Sequence, residues 1–223
     1  IPDSVTNIGD SAFSGCEGLK SVTIPDSVTS IGAYAFRNCK GLKELAIPVS
    51  TKINDSWFTF DGCSNIEKLT LTKGSGIMED FVSYSLGFKT DFYKYTPWYK
   101  ELSRIQEVVI KDGVANISRG AFSDCRNLRS ISVPDSVISI GRQSFYGCIN
   151  LKSIIIPNNV KSIEEYTFDG CTGLSSISIP DCTTNIGSYA FRNCKNLKNI
   201  AIPNSVKNIG DYAFSGCISL INV

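Results

Sequence analysis

The chain has 223 residues, with 22 Lys plus Arg against 21 Asp plus Glu and a formal net charge of +1. That balance excludes a chain-wide electrostatic pull toward nucleic acid, anionic membrane or acidic substrate. It holds no histidine, which removes the Ser-His and Cys-His couples of most nucleophilic catalysis. No uninterrupted apolar run approaches the roughly 18 to 20 residues that a membrane-spanning helix needs.

One pattern organises the chain, written from its best copies as I-P-D-S-V-x-x-I-G-x-x-A-F-x-x-C-x-x-L-x-x-I-x. Copies start at Ile1, Ile24, Ile47, Leu71, Ile110, Val133, Ile156, Ile179 and Ile202. The starts are 23 residues apart except for 24 between Ile47 and Leu71 and 39 between Leu71 and Ile110. In the copy from Ile24, Leu42, Leu45 and Ile47 point one way while Glu44, Ala46 and Pro48 point the other, the alternation of a half-buried strand. The segment Gly32 to Phe36 is too short for an independent helix and predicts one turn of helix or 3₁₀. A repeat of this length cannot bury its own apolar stripe, so copies must stack, strands parallel, at about 4.8 Å per repeat. Residues 1–223 are therefore expected to form a single solenoid of about nine units. Because the pattern is already under way at Ile1 and unfinished at Val223, the sequence suggests a fragment of a longer array.

Between the regular blocks the pattern breaks. The stretch from Ile47 lacks the usual valine and glycine, and the next copy carries an aromatic-rich insertion at about 72–104. Phe92, Tyr93, Tyr95, Trp98 and Tyr99 lie in it, and Trp57 and Phe58 just before it. Such excursions often carry binding function, yet aromatic rings are also what an excursion needs to bury itself.

The pattern resembles the treponemal-type leucine-rich repeats of BspA-like surface proteins, on Val28, Ile31, Gly32, Ala35, Phe36, Cys39, Leu42, Leu45, Ile47 and Pro48. The match covers Ile1 to Cys63 and Ile110 to Val223. The resemblance implies an α/β repeat solenoid with one short parallel β-strand per repeat on the concave face and short helical or 3₁₀ turns on the convex face. It further implies a cell-surface or secreted, non-enzymatic adhesion module for host-matrix or cell-surface proteins. A Pro97-Trp98-Tyr99 segment followed by Val108 to Val114 is similar to an irregular repeat of that family.

Side-chain chemistry offers little else. Eight cysteines, from Cys16 to Cys217, share one repeat position, and thiols stacked one per repeat cannot converge on a single ion or meet disulfide geometry. They are expected to be small buried fillers, whereas Cys182 replaces the serine of a P-D-S turn and is expected to be more exposed. The glycines after each repeated isoleucine lack any phosphate-loop context and are expected to serve a tight bend. No cofactor or metal is expected. Surface variety concentrates on the outward strand positions, where most residues are Ser, Ala or Pro, but Glu44, Lys68, Glu107 and Lys111 are charged. These four, with Phe92, Tyr93, Tyr95, Trp98 and Tyr99, are the candidate protein-binding residues. The alternative is a structural spacer of a larger surface protein, without a ligand of its own.

Overall fold

A computed structural model describes residues 1–53, 59–72 and 104–223. Trp57, Phe58 and most of the insertion, including all five of its candidate aromatics, lie outside the described residues. The chain divides into two compact units, Ile1–Val114 and Ala115–Val223.

The first unit contains β1 (Asn7–Ile8), β2 (Ser21–Thr23), β3 (Ser30–Ile31), β4 (Glu44–Pro48), β5 (Lys52–Ile53), β6 (Lys68–Thr72) and β7 (Glu107–Ile110). Its longer strands pair in parallel in the order β2-β4-β6-β7, with Val22 opposite Leu45, Leu45 opposite Leu69 and Leu69 opposite Val108. The predicted alternation thus becomes a row of buried aliphatics. A slip of one residue would turn that row to solvent, so burial fixes the register. The second unit contains β8 (Asn116–Ile117), β9 (Ser130–Ser132), β10 (Ser139–Ile140), β11 (Ser153–Ile155), β12 (Ser162–Ile163), β13 (Ser176–Ser178), β14 (Asn185–Ile186) and β15 (Asn208–Ile209). There β11 pairs with β13 through Ser153–Ser176, and single parallel bridges extend that row to Asn199 and Asn222.

Three expectations need correction. First, the repeats contribute a second strand of two residues, pairing as β1-β3-β5, β8-β10 and β12-β14-β15. It arises at the V-x-S/N-I segment, whose isoleucines Ile31, Ile140, Ile163 and Ile186 are buried. Second, the prolines do not belong to the exposed strand face: Pro25, Pro48, Pro157 and Pro180 are buried. The chain turns at this point, and the carbonyls of Pro25, Pro134 and Pro157 accept the amides of Val28, Val137 and Val160.

Third, no helix is complete among the described residues, and the segment after each I-G pair is a run of turns. Its amides alternate between two kinds of partner. Ser144, Tyr146 and Cys148 donate to carbonyls three residues earlier, Gly141, Gln143 and Phe145. Gln143, Phe145 and Gly147 donate instead to Glu165, Thr167 and Asp169 of the next repeat, at 2.9–3.1 Å. Such alternation requires left-handed backbone at two positions per repeat, which a right-handed helix cannot contain. One of them is occupied by Ser11, Tyr34, Gly120, Gln143, Tyr166, Tyr189 and Tyr212, the other by Gly15, Asn38, Gly62, Asp124, Gly147, Gly170, Asn193 and Gly216. By contrast, the glycine of the I-G pair has no positive φ; at Gly187 a Cβ would stand 2.7 Å from the Glu165 nitrogen. Close approach between repeats, rather than a bend, selects glycine there.

Stacking of the turns brings the phenylalanines into columns. Phe13, Phe36 and Phe60 stack in the first unit at 5.1 and 5.4 Å, and Phe122, Phe145, Phe168, Phe191 and Phe214 stack in the second at 5.3–5.5 Å. Ring planes are nearly parallel at separations that imply offset stacking, the favourable arrangement. The cysteines beside them are more than fillers. Sγ of Cys39, Cys63, Cys148, Cys171, Cys194 and Cys217 donates to the carbonyl of the preceding repeat's phenylalanine at 3.0–3.2 Å. Each of these residues supplies both apolar volume and a weak donor.

Gly170→Ala puts an L side chain at φ +75 with no atom nearer to its Cβ than 3.7 Å, so its cost isolates backbone strain. Urea unfolding should show a loss of about 1–2 kcal/mol, whereas Asn193→Gly, at the same repeat position, should change stability by less than about 1 kcal/mol.

Candidate functional site

On the strand face of the first unit, pairing brings Glu44, Lys68 and Glu107 into one row, Glu44 opposite Lys68 and Lys68 opposite Glu107. Lys68 Nζ lies 2.8 Å from Glu107 Oε1. Its hydrogen bond to Glu107 raises the Lys68 pKa above the usual lysine value, and the charges of Glu107 and Glu44 add to the shift. All three side chains lie on a solvated face, where ion pairs contribute little to stability. What the row supplies is a fixed minus-plus-minus order on rigid strands.

Lys111 does not join that row. It follows the end of β7, its amide donates to the Leu71 carbonyl at 2.9 Å, and its side chain is exposed. Four residues along one strand separate it from Glu107, about 13 Å. Near that end of the face, Thr72 Oγ1 donates to Asp26 Oδ1 at 2.9 Å.

The second unit carries a different strand face. Ser153 and Ser176, Ile155 and Ser178 stand in register with their side chains outward, and Ile155 is 80% exposed.

Its turn face holds a feature absent from the sequence expectations. Tyr166, Tyr189 and Tyr212 stack at 4.7 and 5.2 Å, and Arg192 lies over the first two rings at 5.7 and 4.7 Å. The Arg192 guanidinium also grips Asp169 through Nε at 3.0 Å and a second nitrogen at 2.6 Å. Asp169 is buried, so it needs this partner. The signal was present in Tyr-x-x-Arg, which occurs at Tyr34 to Arg37 and at Tyr189 to Arg192; in the first copy Arg37 lies 5.3 Å from the Tyr34 ring centre. Stacking and the arginine cover Tyr166 and Tyr189, whereas Tyr212, stacked on Tyr189, is 65% exposed.

Four of the buried thiols are poor nucleophiles, whereas a hydrogen bond with Cys194 lowers the pKa of Cys217. Burial pushes Cys39, Cys148 and Cys171 up, and a hydrogen bond with Cys217 together with burial does the same to Cys194; a protonated thiol does not attack. Cys182 is half-buried, and its Sγ reaches the Val160 carbonyl at 3.3 Å, in the role that Ser27 plays toward Val5. No cluster of three or more metal-ligating side chains occurs among the described residues.

A family model described as BspA type Leucine rich repeat region (6 copies) matches residues 1–89 and 96–221. Among solved structures, the chain is similar to the T. pallidum Leucine Rich Repeat protein, at 21% identity and TM-score 0.51 over 95% of this chain and 81% of that one. It is also similar to a leucine-rich repeat protein from Bacteroides ovatus ATCC 8483, at 24% identity and TM-score 0.51 over 100% of this chain and 76% of that one. At such identities the likeness shows the fold. No curated protein matches the chain.

Because the Lys68 pKa is raised on folding, its pairing stabilises the fold below the ordinary lysine pKa and is lost as pH rises through the folded value. Glu107→Gln should bring the Lys68 titration, followed by NMR at its ε-methylene, down toward that ordinary value. Glu44→Gln should lower it less, and a larger effect from Glu44 would contradict the pairing described.

Proposed function

Because this chain belongs to the BspA-type leucine-rich repeat family, we propose that it is a non-enzymatic protein-interaction module of a cell-surface or secreted protein. Its partner is a host-matrix or neighbouring-cell protein, and its contact surface is the strand face of the Ile1–Val114 unit.

The observation that carries this reading is the charged row Glu44, Lys68 and Glu107, held in register across three adjacent strands. A rigid sheet presents these side chains without a backbone-ordering cost, and a partner surface of plus-minus-plus order would match them, which favours specificity and association rate. Half-buried Thr70 and Val109 lie two residues further along the same strands and offer neutral contact area beside the charges. In this proposal Lys111 and the aromatics Phe92, Tyr93, Tyr95, Trp98 and Tyr99 extend the contact beyond the row, the rings acting as anchors. The mechanism is shape and charge order on a scaffold, with no covalent step.

The spacer alternative draws on the uniformity of Ser153, Ser176 and Ser178 in the second unit, and one experiment separates the two. Purified extracellular-matrix proteins are immobilised and the chain is passed over them, as wild type, as Glu44→Ala/Lys68→Ala/Glu107→Ala, and with residues 74–101 removed. Binding to at least one matrix protein, weakened about ten-fold or more by the triple substitution, is the expected result. Equal binding by the triple variant would remove the row from the site, and no binding by the wild type would favour the spacer.

A further inference from the structure

Between the cysteine and the next strand, the repeats of the Ala115–Val223 unit expose a row of cations. Arg129, Lys152 and Lys198 share one repeat position, and Arg126 and Lys195 share another three residues earlier. Register places Lys152, Ser175 and Lys198 in line, because each directly precedes a member of the row Ser153, Ser176 and Asn199. Arg126 pairs with the Asp124 carboxylate at 3.5 Å. Among the described residues, Arg129, Lys152, Lys195 and Lys198 have no acidic partner.

The backbone beneath these side chains is fixed. The Lys152 carbonyl accepts both the amide and the hydroxyl of Ser175, at 3.0 and 3.2 Å, and the Arg126 carbonyl accepts Asn150 Nδ2 at 2.8 Å. Among the described residues, Asp124 is the one acidic side chain of this unit paired with a rim cation. Asp135 and Asp181 lie at the opposite end of the strand face, about 20 Å from the cations along an extended chain. Glu165 and Asp169 are engaged with Arg142 and Arg192 on the turn face. The near-neutral total charge therefore conceals a one-sided local field. The first unit also carries exposed cations, Lys20 and Lys43, at this position, but there Lys40 is neutralised by Glu17 at 2.8 Å and Glu67 replaces a cation.

We propose that this rim binds an acidic polysaccharide, carboxylated or sulfated, laid along the stack of repeats in the second unit and independent of the protein contact assigned to the first. Cations recurring with the repeat, at about 4.8 Å per turn, match a polymer with anionic groups on successive sugars. Directly inside them, Ser153, Ser176 and Asn199 supply donors and acceptors for sugar hydroxyls. A nucleic acid fits less well, since single strands are held by stacking on aromatic rings and the tyrosines lie on the turn face rather than at this rim. An extended acidic peptide fits less well too, since the strand backbones at this face are already paired.

The test measures binding of the full chain to heparin, polygalacturonate, uncharged dextran, oligothymidylate and polyglutamate over a range of salt concentrations. Heparin or polygalacturonate should bind most tightly, and which of them does so distinguishes sulfate from carboxylate as the anion. Lys152→Gln/Lys195→Gln/Lys198→Gln should weaken that binding about ten-fold or more and flatten its salt dependence. Lys52→Gln/Lys161→Gln/Lys207→Gln removes equal charge from the short-strand side of the repeats and should change affinity less than about two-fold. Equal losses in the two triple variants, no binding to either acidic polysaccharide, or tighter binding of oligothymidylate or polyglutamate would each overturn the proposal.

Discussion

The fold depends on a set of backbone donors that no repeat can satisfy alone. The amides of Phe122, Phe145, Phe168 and Phe191 point out of their own turns, and each finds a carbonyl only in the following repeat. A buried amide left unpaired is costly, so these residues are stable only when a neighbour is stacked. The same requirement sets the alternating backbone of the turn, which aligns the phenylalanine rings. It also leaves each phenylalanine carbonyl open on one side, where the next repeat's cysteine thiol donates. Ring column, thiol column and turn ladder are thus consequences of one stacking geometry.

Once that geometry has taken its residues, little of each repeat remains free to vary. Valine, isoleucine, leucine, phenylalanine and cysteine are committed to the core, glycine or asparagine to the left-handed turn, and serine or threonine to ties such as Thr51 to Val28 and Thr183 to Val160. The free positions are the outward side chains of the longer strand and the edge that precedes it. The two units use them differently. In the first, charge sits on the strand face itself, as Glu44, Lys68 and Glu107. In the second, that face is mostly hydroxyl and amide, and charge moves to the edge. A shared scaffold can thereby present two chemically distinct surfaces.

Much of the core was legible because its spacing is strict. Leu45 and Ile47 are buried as their alternation requires, and so are Leu42, Phe36 and Cys39. The segment Gly32 to Phe36 was read as one turn of helix or 3₁₀ because a single copy shows no sign of left-handed backbone. Its left-handed positions become visible only when repeats are aligned and the residue before each cysteine is seen to be Gly, Asn or Asp. The second strand was missed because two residues show no periodicity. The prolines were misplaced because alternation was carried one residue beyond the point where the chain turns. Among the candidate residues, register sets Glu44, Lys68 and Glu107 in one row and separates Lys111 from them, a distinction invisible without strand ends. The tyrosine column escaped because Tyr166, Tyr189 and Tyr212 occupy a position that is otherwise variable.

Hydrogen exchange of individual amides tests the stacked-turn account most directly. The amides of Phe145, Phe168 and Phe191 should exchange only with global unfolding, as slowly as the buried strand amides of Leu45 and Leu69. Exchange of these phenylalanine amides at the rate of exposed turns, while the strands stay protected, would contradict it.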